Sequence, residues 1–375
     1  MTTPTNKRIV LVTGATGKQG SAATRHILAL PTSSPTASET DQGGGASVQQ
    51  PVEWHVWALT RNPSSPAAHA LAKEAERNHT SDRLKLVQGD LDVPASIRSV
   101  FEEAADEEGG DGDGGIWGVF AVFEYPGPGV KSDREKHQAT ALAQLALDFK
   151  IHAYVYSTTI PAGPKPEDAI EPAHRVKVQM QEYIQKELGP KGLNWIFLRP
   201  GFFMENFDGR LGPLCVTLFR DCVKKDTTIT PVATDDIGRV AAGIFKNNEL
   251  YIHKIINATS GPTTIQEMID GYQRATGKPI RTAPAFLVKS VVRFNATPKN
   301  IIKQVERNHE ARTKTGECPT FEAEVALAKS ICEIRDYEAW TRWKIAEGEH
   351  GKGEEDHGDV NWNNVSIFKL FTGRS

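Results

Sequence analysis

The sequence predicts an α/β fold, a doubly wound parallel sheet with a smaller mixed α/β C-terminal lobe, and three observations predict it. Residues 8–20 read as a buried strand running into a turn with glycines at 14, 17 and 20 that opens a helix. Strand and helix patterns then alternate up to Pro200, and beyond it the alternation weakens. At 375 residues, with 39% hydrophobic and 24% charged content, the chain buries a substantial core. The expected division is a dinucleotide-binding domain over 6–200 with loop insertions at 31–51 and 106–115. A smaller substrate or partner lobe over 201–375 is interleaved with the sheet.

The first strand, residues 9–12, is a continuous apolar and β-branched run, as a central parallel strand covered on both faces requires. Gly14 permits the tight turn, Gly17 lets the backbone approach a diphosphate, and Gly20 lets helix and sheet pack closely. The helix over 21–30 then aims its free N–H groups and positive dipole end at phosphate. Residues 31–51, rich in Pro, Ser, Thr and Gly, read as a mobile loop. A strand at 52–60, a helix at 65–77, a strand at 84–89 and a helix at 94–105 follow, before a Gly/Asp-rich loop. After a strand at 118–123, a helix over 134–150 carries Ala139, Leu142, Ala143, Ala146 and Phe149 on one face. A strand at 152–157 follows it. Strands separated by helices imply right-handed crossovers and a parallel sheet. Further on, short helical patterns at 264–276 and 301–312 precede one longer helix at 321–344. Its Phe321, Val325, Ala328 and Cys332 form one stripe, with Trp340 and Trp343 beyond, and core packing is the expected role. Residues 347–359 read as a flexible, solvated stretch in which His350 and His357 lack the fixed geometry of a metal site.

A net charge of −3 and a pI near 6.4 give no broad basic field, which argues against direct nucleic-acid binding. The four cysteines, 215, 222, 318 and 332, contain no CxxC pair, so neither a zinc site nor a disulfide framework is expected. The polar N-terminus leads straight into the first strand without a signal peptide, and no apolar stretch is long enough to span a bilayer. No membrane partner is expected. The cytoplasm is the expected compartment, with the nucleus open by diffusion or through a partner.

The second strand ends in Ala58-Leu-Thr-Arg61-Asn62, with no carboxylate to accept from a ribose 2′-hydroxyl. Arg61 offers a planar fork of donors suited to a 2′-phosphate, and Lys18 inside the glycine turn adds a second positive charge. The expected cofactor is therefore NADP(H) rather than NAD(H).

Five segments carry a family resemblance: Val12-Thr-Gly-Ala-Thr-Gly-Lys-Gln-Gly20, Ala58-Leu-Thr-Arg-Asn-Pro63, Val87-Gln-Gly-Asp-Leu91, Gly118-Val-Phe-Ala-Val122 and Leu198-Arg-Pro-Gly-Phe-Phe-Met-Glu-Asn-Phe207. Together they resemble the NmrA-like family of atypical short-chain dehydrogenases, which have an NAD(P)-binding Rossmann fold. The resemblance implies that Gly14, Thr16, Gly17, Lys18, Gln19 and Gly20 line the diphosphate and that Arg61 meets the 2′-phosphate. It implies that Asp90 and Leu91 flank the adenine, that Val122 and Phe123 pass beneath the ribose, and that Pro200 to Phe203 border the nicotinamide. Members of the family divide between NADP(H) sensors that bind transcription factors and oxidoreductases, often beside biosynthetic enzymes.

Short-chain dehydrogenases move the substrate proton through a tyrosine, with a lysine four residues later and a Ser or Thr at the preceding strand end. Here Thr159, with Thr158 next, supplies the hydroxyl and Lys177 the lysine, while Ala173 stands where the tyrosine belongs. Val176, Met180, Ile184 and Leu188 define the buried stripe of that helix, and Lys177 lies one position round from it, suited to reach the ribose. His174, three positions before Lys177, shares its helix face, and the ammonium favours a neutral imidazole. The expected function is an oxidoreductase that transfers a hydride between NADP(H) and a small hydrophobic carbonyl or alkene in a biosynthetic pathway, with the proton moved by Lys177, His174 or water ordered on Thr159. Phe202, Phe203, Phe207 and Phe219 would give its lid an apolar character. The alternatives are a non-catalytic NADP(H) redox sensor that binds and regulates a transcription factor and a cofactor-stabilised interaction protein using the C-terminal helix. Asp235 and Asp236 read as a structural turn and helix cap.

Overall fold

Seven strands made mostly of buried apolar residues pair side by side because each is covered on both faces. The computed structural model describes residues 6–32, 51–107, 115–124, 133–163, 165, 168, 170 and 172–348. The loop expectations at 33–50 and 108–114 and the stretch holding His350 and His357 lie outside the described residues. The strands are β1 (Asn6–Val12), β2 (Val52–Thr60), β3 (Leu84–Gln88), β4 (Ile116–Ala121), β5 (Ala153–Ser157) and β6 (Trp195–Pro200). Short strands β7 (Phe202–Phe203), β8 (Thr228–Ile229) and β9 (Pro231–Val232) precede β10 (Ile255–Ala258) and the short β11 (Thr263–Thr264). The main sheet runs in the order β10-β6-β5-β4-β1-β2-β3 with every pairing parallel. The order reverses between β1 and β4, so the doubly wound sheet predicted from sequence has its ligand-binding switch point at the end of β1.

Helices α1 (Lys18–Leu28), α2 (Pro66–Arg77), α3 (Pro94–Ala105), α4 (Asp133–Asp148) and α5 (Pro172–Tyr183) cross between strands. Alternation along β1 sends Ile9 and Leu11 into a core with Ile97, Phe101, Leu142 and Met180 of α3, α4 and α5. Val10 and Val12 face the opposite core, with Ile27 of α1 and Leu71 of α2. That core also receives Val240 and Ile244 of α7 (Thr234–Lys246), which follows α6 (Gly212–Cys222). The remaining helices are α8 (Ile265–Thr276), α9 (Ala285–Phe294), α10 (Ala296–Thr313), α11 (Phe321–Ile331) and α12 (Tyr337–Ala346). Among the described residues no helix is long and apolar enough to cross a membrane.

Several elements depart from the sequence reading, among them α10, which starts at 296 and not at 301. The helix expected at 321–344 is two helices, because Cys332 is extended and Asp336 starts a new one by accepting from the Ala339 N–H at 2.8 Å. Phe321, Val325, Ala328 and Trp340 are nevertheless buried, as core packing requires. Helix α9 had not been read at all. Strand β4 starts and stops two residues early, and at its end the buried Thr13 hydroxyl donates to the Val122 carbonyl and accepts from its N–H, taking over from the ladder there. Helix α1 begins at Lys18, three residues before the expected start.

The expected Asp235–Asp236 cap is also corrected. These residues stand inside the first turn of α7, and it is Glu205 Oε1 that accepts from the Thr234 N–H, at 2.8 Å. The two aspartates instead receive Arg335, whose Nε lies 3.0 Å from Asp236, and His26 of α1, 2.7 Å from Asp235. They fasten the α11–α12 junction to the sheet, a structural role that the sequence did suggest. Burial pushes the Asp235 carboxyl up, but the hydrogen bonds and charges of His26 and Arg335 outweigh it and hold the group far below the usual carboxylate range. A carboxyl depressed on folding contributes stability that is complete above its unfolded value of about 4 and is lost as pH falls through the folded value. Thermal melts from about pH 6 down to about pH 2 should therefore show the wild-type Tm falling more steeply than that of Asp235→Asn. Parallel curves would refute this.

Candidate nucleotide-binding and active site

The turn after β1 is built around Gly14, exposed and held at φ 55°, a left-handed conformation that disfavours any side chain. The Gly17 N–H donates to the Gly14 carbonyl at 2.9 Å and closes the turn. A Cβ on Gly20 would lie 2.2 Å from that carbonyl oxygen, whereas one on Gly17 would lie 3.3 Å from it. The N-cap residue Gly17 brings no side chain, and the first turn of α1 holds no acid. Its N–H groups thus point at the switch point without a capping group, the arrangement that receives phosphate elsewhere. Thr16 and Lys18 flank it half-buried, and the Gln19 side-chain Oε1 accepts from the Ser157 hydroxyl at 2.7 Å, tying the turn to the end of β5.

Arg61 leaves the end of β2 with its side chain 63% exposed, 3.9 Å from Glu124. Asp90 follows β3, its main chain held by the Ser96 hydroxyl and its carboxylate accepting from the Asp92 N–H, while Leu91 packs on the adjoining core. Val122 and Phe123 are buried, Phe123 edge-on to Tyr156 with ring centroids 5.6 Å apart. Arg61, Asp90, Val122 and Phe123 therefore all emerge from the carboxyl ends of β2, β3 and β4.

The other half of the cleft is formed by the ends of β5 and β6 and the start of α5. Thr158 is buried and Thr159 half-buried, and the Thr158 Oγ1 has no hydrogen-bond partner among the described residues. Val176, Met180, Ile184 and Leu188 are all buried, as their spacing predicted. Lys177 is 9% exposed, and its ammonium makes an ion pair with Glu135 of α4. The Tyr156 hydroxyl donates to the same Glu135 oxygen at 3.3 Å, and the Lys177 Nζ lies 5.9 Å from the centre of the Tyr156 ring. His174 Nδ1 is enclosed without a partner, and burial first, then the Lys177 charge, lowers its pKa to about 4. The imidazole is therefore neutral, as anticipated, though burial outweighs the ammonium as the cause. Ala173 is 1% exposed and brings no hydroxyl.

Pro200 is buried at the end of β6 and Phe203 half-buried beyond it. Of the expected lid aromatics, Phe207 and Phe219 are buried against Met204, Tyr337 and Trp340, and so form the lobe's own core. Phe202, half-buried, packs on the same cluster with its ring centroid 5.3 Å from Phe207 and 5.2 Å from Phe219, and Phe203, half-buried, packs on the sheet core. Two carboxylates were missed. Glu205 has one buried oxygen without a partner, and burial raises its pKa against the pull of the Thr234 hydrogen bonds and the Lys18 charge. Glu135 stands in a polar helix start, yet it falls on the stripe of Ala139, Leu142 and Ala146 extended back one turn.

A nicotinamide dinucleotide fits these residues: a turn that admits backbone approach, an uncapped helix start, and unpartnered buried oxygens or nitrogens on Thr158, His174 and Glu205. The model of the NmrA-like family matches residues 6–343. The chain belongs to the NmrA-like family. Within that family it is 23% identical over 296 residues to the NmrA-like family domain-containing oxidoreductase ptmS of Penicillium ochrochloron, covering 74% of this chain and 76% of that protein. It is 25% identical over 303 residues to the oxidoreductase cpsB of Aspergillus campestris, covering 75% and 77%. Among solved structures it resembles Nmra, a negative transcriptional regulator, in complex with NADP, with a TM-score of 0.62, 18% identity and coverage of 93% and 99%. Nmra in complex with NAD gives the same TM-score and identity, with coverage of 92% and 97%. At that identity the likeness of this NmrA-like chain to Nmra is one of fold.

Proposed function

We propose that this chain is an NADP(H)-dependent oxidoreductase that reduces a small hydrophobic carbonyl or alkene, with Lys177 as the proton donor. The observation that carries the reading is the ammonium of Lys177, enclosed against Glu135 of α4 and the Tyr156 ring of β5, with the neutral His174 in reach of its charge. The curated relatives named as oxidoreductases and the NAD- and NADP-bound structures of Nmra support a nicotinamide cofactor. Arg61, exposed at a strand end with no carboxylate of its own, supports the phosphorylated form.

A bound reduced nicotinamide supplies the hydride. Lys177 supplies the proton: one N–H bond breaks, an O–H or C–H bond forms on the substrate, the electron pair stays on nitrogen, and water returns the proton. Thr159 and Thr158 orient a substrate oxygen, and Phe202 and Phe203 keep its surroundings apolar. Two measurements test the reading together. NADPH oxidation is followed against aromatic aldehydes, ketones and enones, and cofactor affinity by calorimetry. Arg61→Glu should weaken NADPH binding by roughly ten- to a hundredfold while leaving NADH nearly unchanged, since a charged hydrogen bond to phosphate is replaced by repulsion. Equal affinity of the wild type for the two cofactors would refute the NADP assignment.

Ala173 favours a second reading, because the position that carries the tyrosine in a short-chain dehydrogenase is buried and has no proton to give. Tight NADPH binding with no turnover across the panel would make the chain a cofactor sensor acting on a protein partner.

A further inference from the structure

Lys177 is almost wholly withdrawn from water, so its ammonium needs a counter-charge inside the fold. Three titratable groups face it, Glu135 of α4, Tyr156 of β5 and His174 of its own helix, and Tyr154 lies beyond, its ring 6.5 Å from that of Tyr156. His174 is neutral, and Tyr154 is pushed up by burial alone. Burial, and after it the Glu135 charge, pushes the Tyr156 hydroxyl well above its ordinary range, so it remains a donor. Glu135 is the one carboxyl among these groups, and it meets both the Lys177 ammonium and the Tyr156 hydroxyl through the same oxygen. It is 2% exposed, and its second oxygen has no partner among the described residues.

We propose that Glu135 is a positioning residue that stands in for the tyrosine missing at Ala173: held by the Tyr156 hydroxyl, it keeps Lys177 charged and fixed inside the fold as a stored proton. The device differs from a Tyr–Lys pair in where its parts come from. The lysine there lowers the proton affinity of a tyrosine on its own helix; here a carboxylate from α4 raises the proton affinity of the lysine, and a strand tyrosine orients the carboxylate. When Lys177 gives up its proton, it leaves a neutral amine beside a charged Glu135, a state that draws a proton back from water. The assignment rests on reading Lys177 as the proton donor, but its test does not require turnover.

Biosynthetic incorporation of 13C-lysine gives each lysine a Cε resonance without modifying the amine, and the Lys177 resonance is the one lost in Lys177→Arg. In the full-length chain, Glu135→Gln is expected to lower the pH at which this resonance titrates by about one unit or more, a tenfold loss of proton affinity. Glu135→Asp, which keeps the charge but retracts it by one methylene, should fall between Gln and wild type, and it carries the test if the Gln variant does not fold. An unchanged midpoint in whichever of the two is folded overturns the proposal. Where turnover is found, the basic limb of the kcat/KM profile should move to lower pH in Glu135→Gln by the same interval. A purely structural role would lower the whole profile without moving it. A shifted midpoint without turnover in the wild type would leave Glu135 as the group that holds Lys177 charged, and would count only against the oxidoreductase reading.

Discussion

Lys177→Met is expected to cost turnover on the order of a hundred- to ten-thousandfold, the usual contribution of a positioned proton donor. The same change should destabilise the fold by about 3–5 kcal/mol, because it strands the carboxylate of Glu135 in the interior without its counter-charge. These two losses have different remedies. Adding Glu135→Gln removes the stranded charge, so the double variant should recover most of the stability, since a buried ion pair replaced as a whole is close to neutral. Turnover should not return, because the double variant still has no lysine. Denaturant unfolding of the two single variants and the double variant closes the cycle, and NADPH oxidation is read on the same preparations. Turnover surviving in folded Lys177→Met would remove the lysine from the chemistry. A double variant no more stable than Lys177→Met would show that the pair is not coupled, whatever the kinetics.

The sequence carried the sheet because a parallel strand buried on both faces writes itself as a short apolar run, and 52–60 and the helix at 94–105 appear with the bounds expected. What it could not carry was which polar residues go inside. Glu135 sits in Asp133-Arg-Glu-Lys136, a run that reads as a solvated helix start, and only the packing of α4 on α5 and β5 shows its carboxylate enclosed. Asp236 is the same case: its spacing puts it on the stripe of Val240 and Ile244, but Arg335 lies 99 residues away and no local pattern announces it. The end of β4 was misjudged for a related reason, since the apolar run continues through Phe123 while a hydroxyl from β1 takes over the Val122 hydrogen bonds. In each instance a long-range polar contact, invisible to periodicity, decided the outcome.

The glycine turn offers the sharpest separation between what the fold needs and what a ligand needs. Gly20→Ala is expected to lower Tm and to weaken NADPH binding by about a hundredfold or more, because its Cβ would meet the Gly14 carbonyl at 2.2 Å and α1 must shift. That helix packs against α7 through the core that holds Ala23, Ile27, Val240 and Ala241, so the shift is resisted and the turn distorts instead. Gly17→Ala makes a different demand. Its φ of −87° suits any residue, and its Cβ would sit 3.3 Å from the same oxygen, a contact that a shift of a few tenths of an ångström relieves. The ligand-free fold therefore has little need of glycine at 17, and Gly17→Ala should melt close to the wild type. A diphosphate lying against that backbone does need it, since a methyl group there holds the phosphate oxygens away from the N–H groups of α1. Melting curves and NADPH calorimetry on the two variants should therefore dissociate, with Gly20→Ala losing both stability and affinity and Gly17→Ala losing affinity alone. Gly17→Ala binding NADPH as tightly as the wild type would move the diphosphate away from this turn, and with it the whole reading of the cleft.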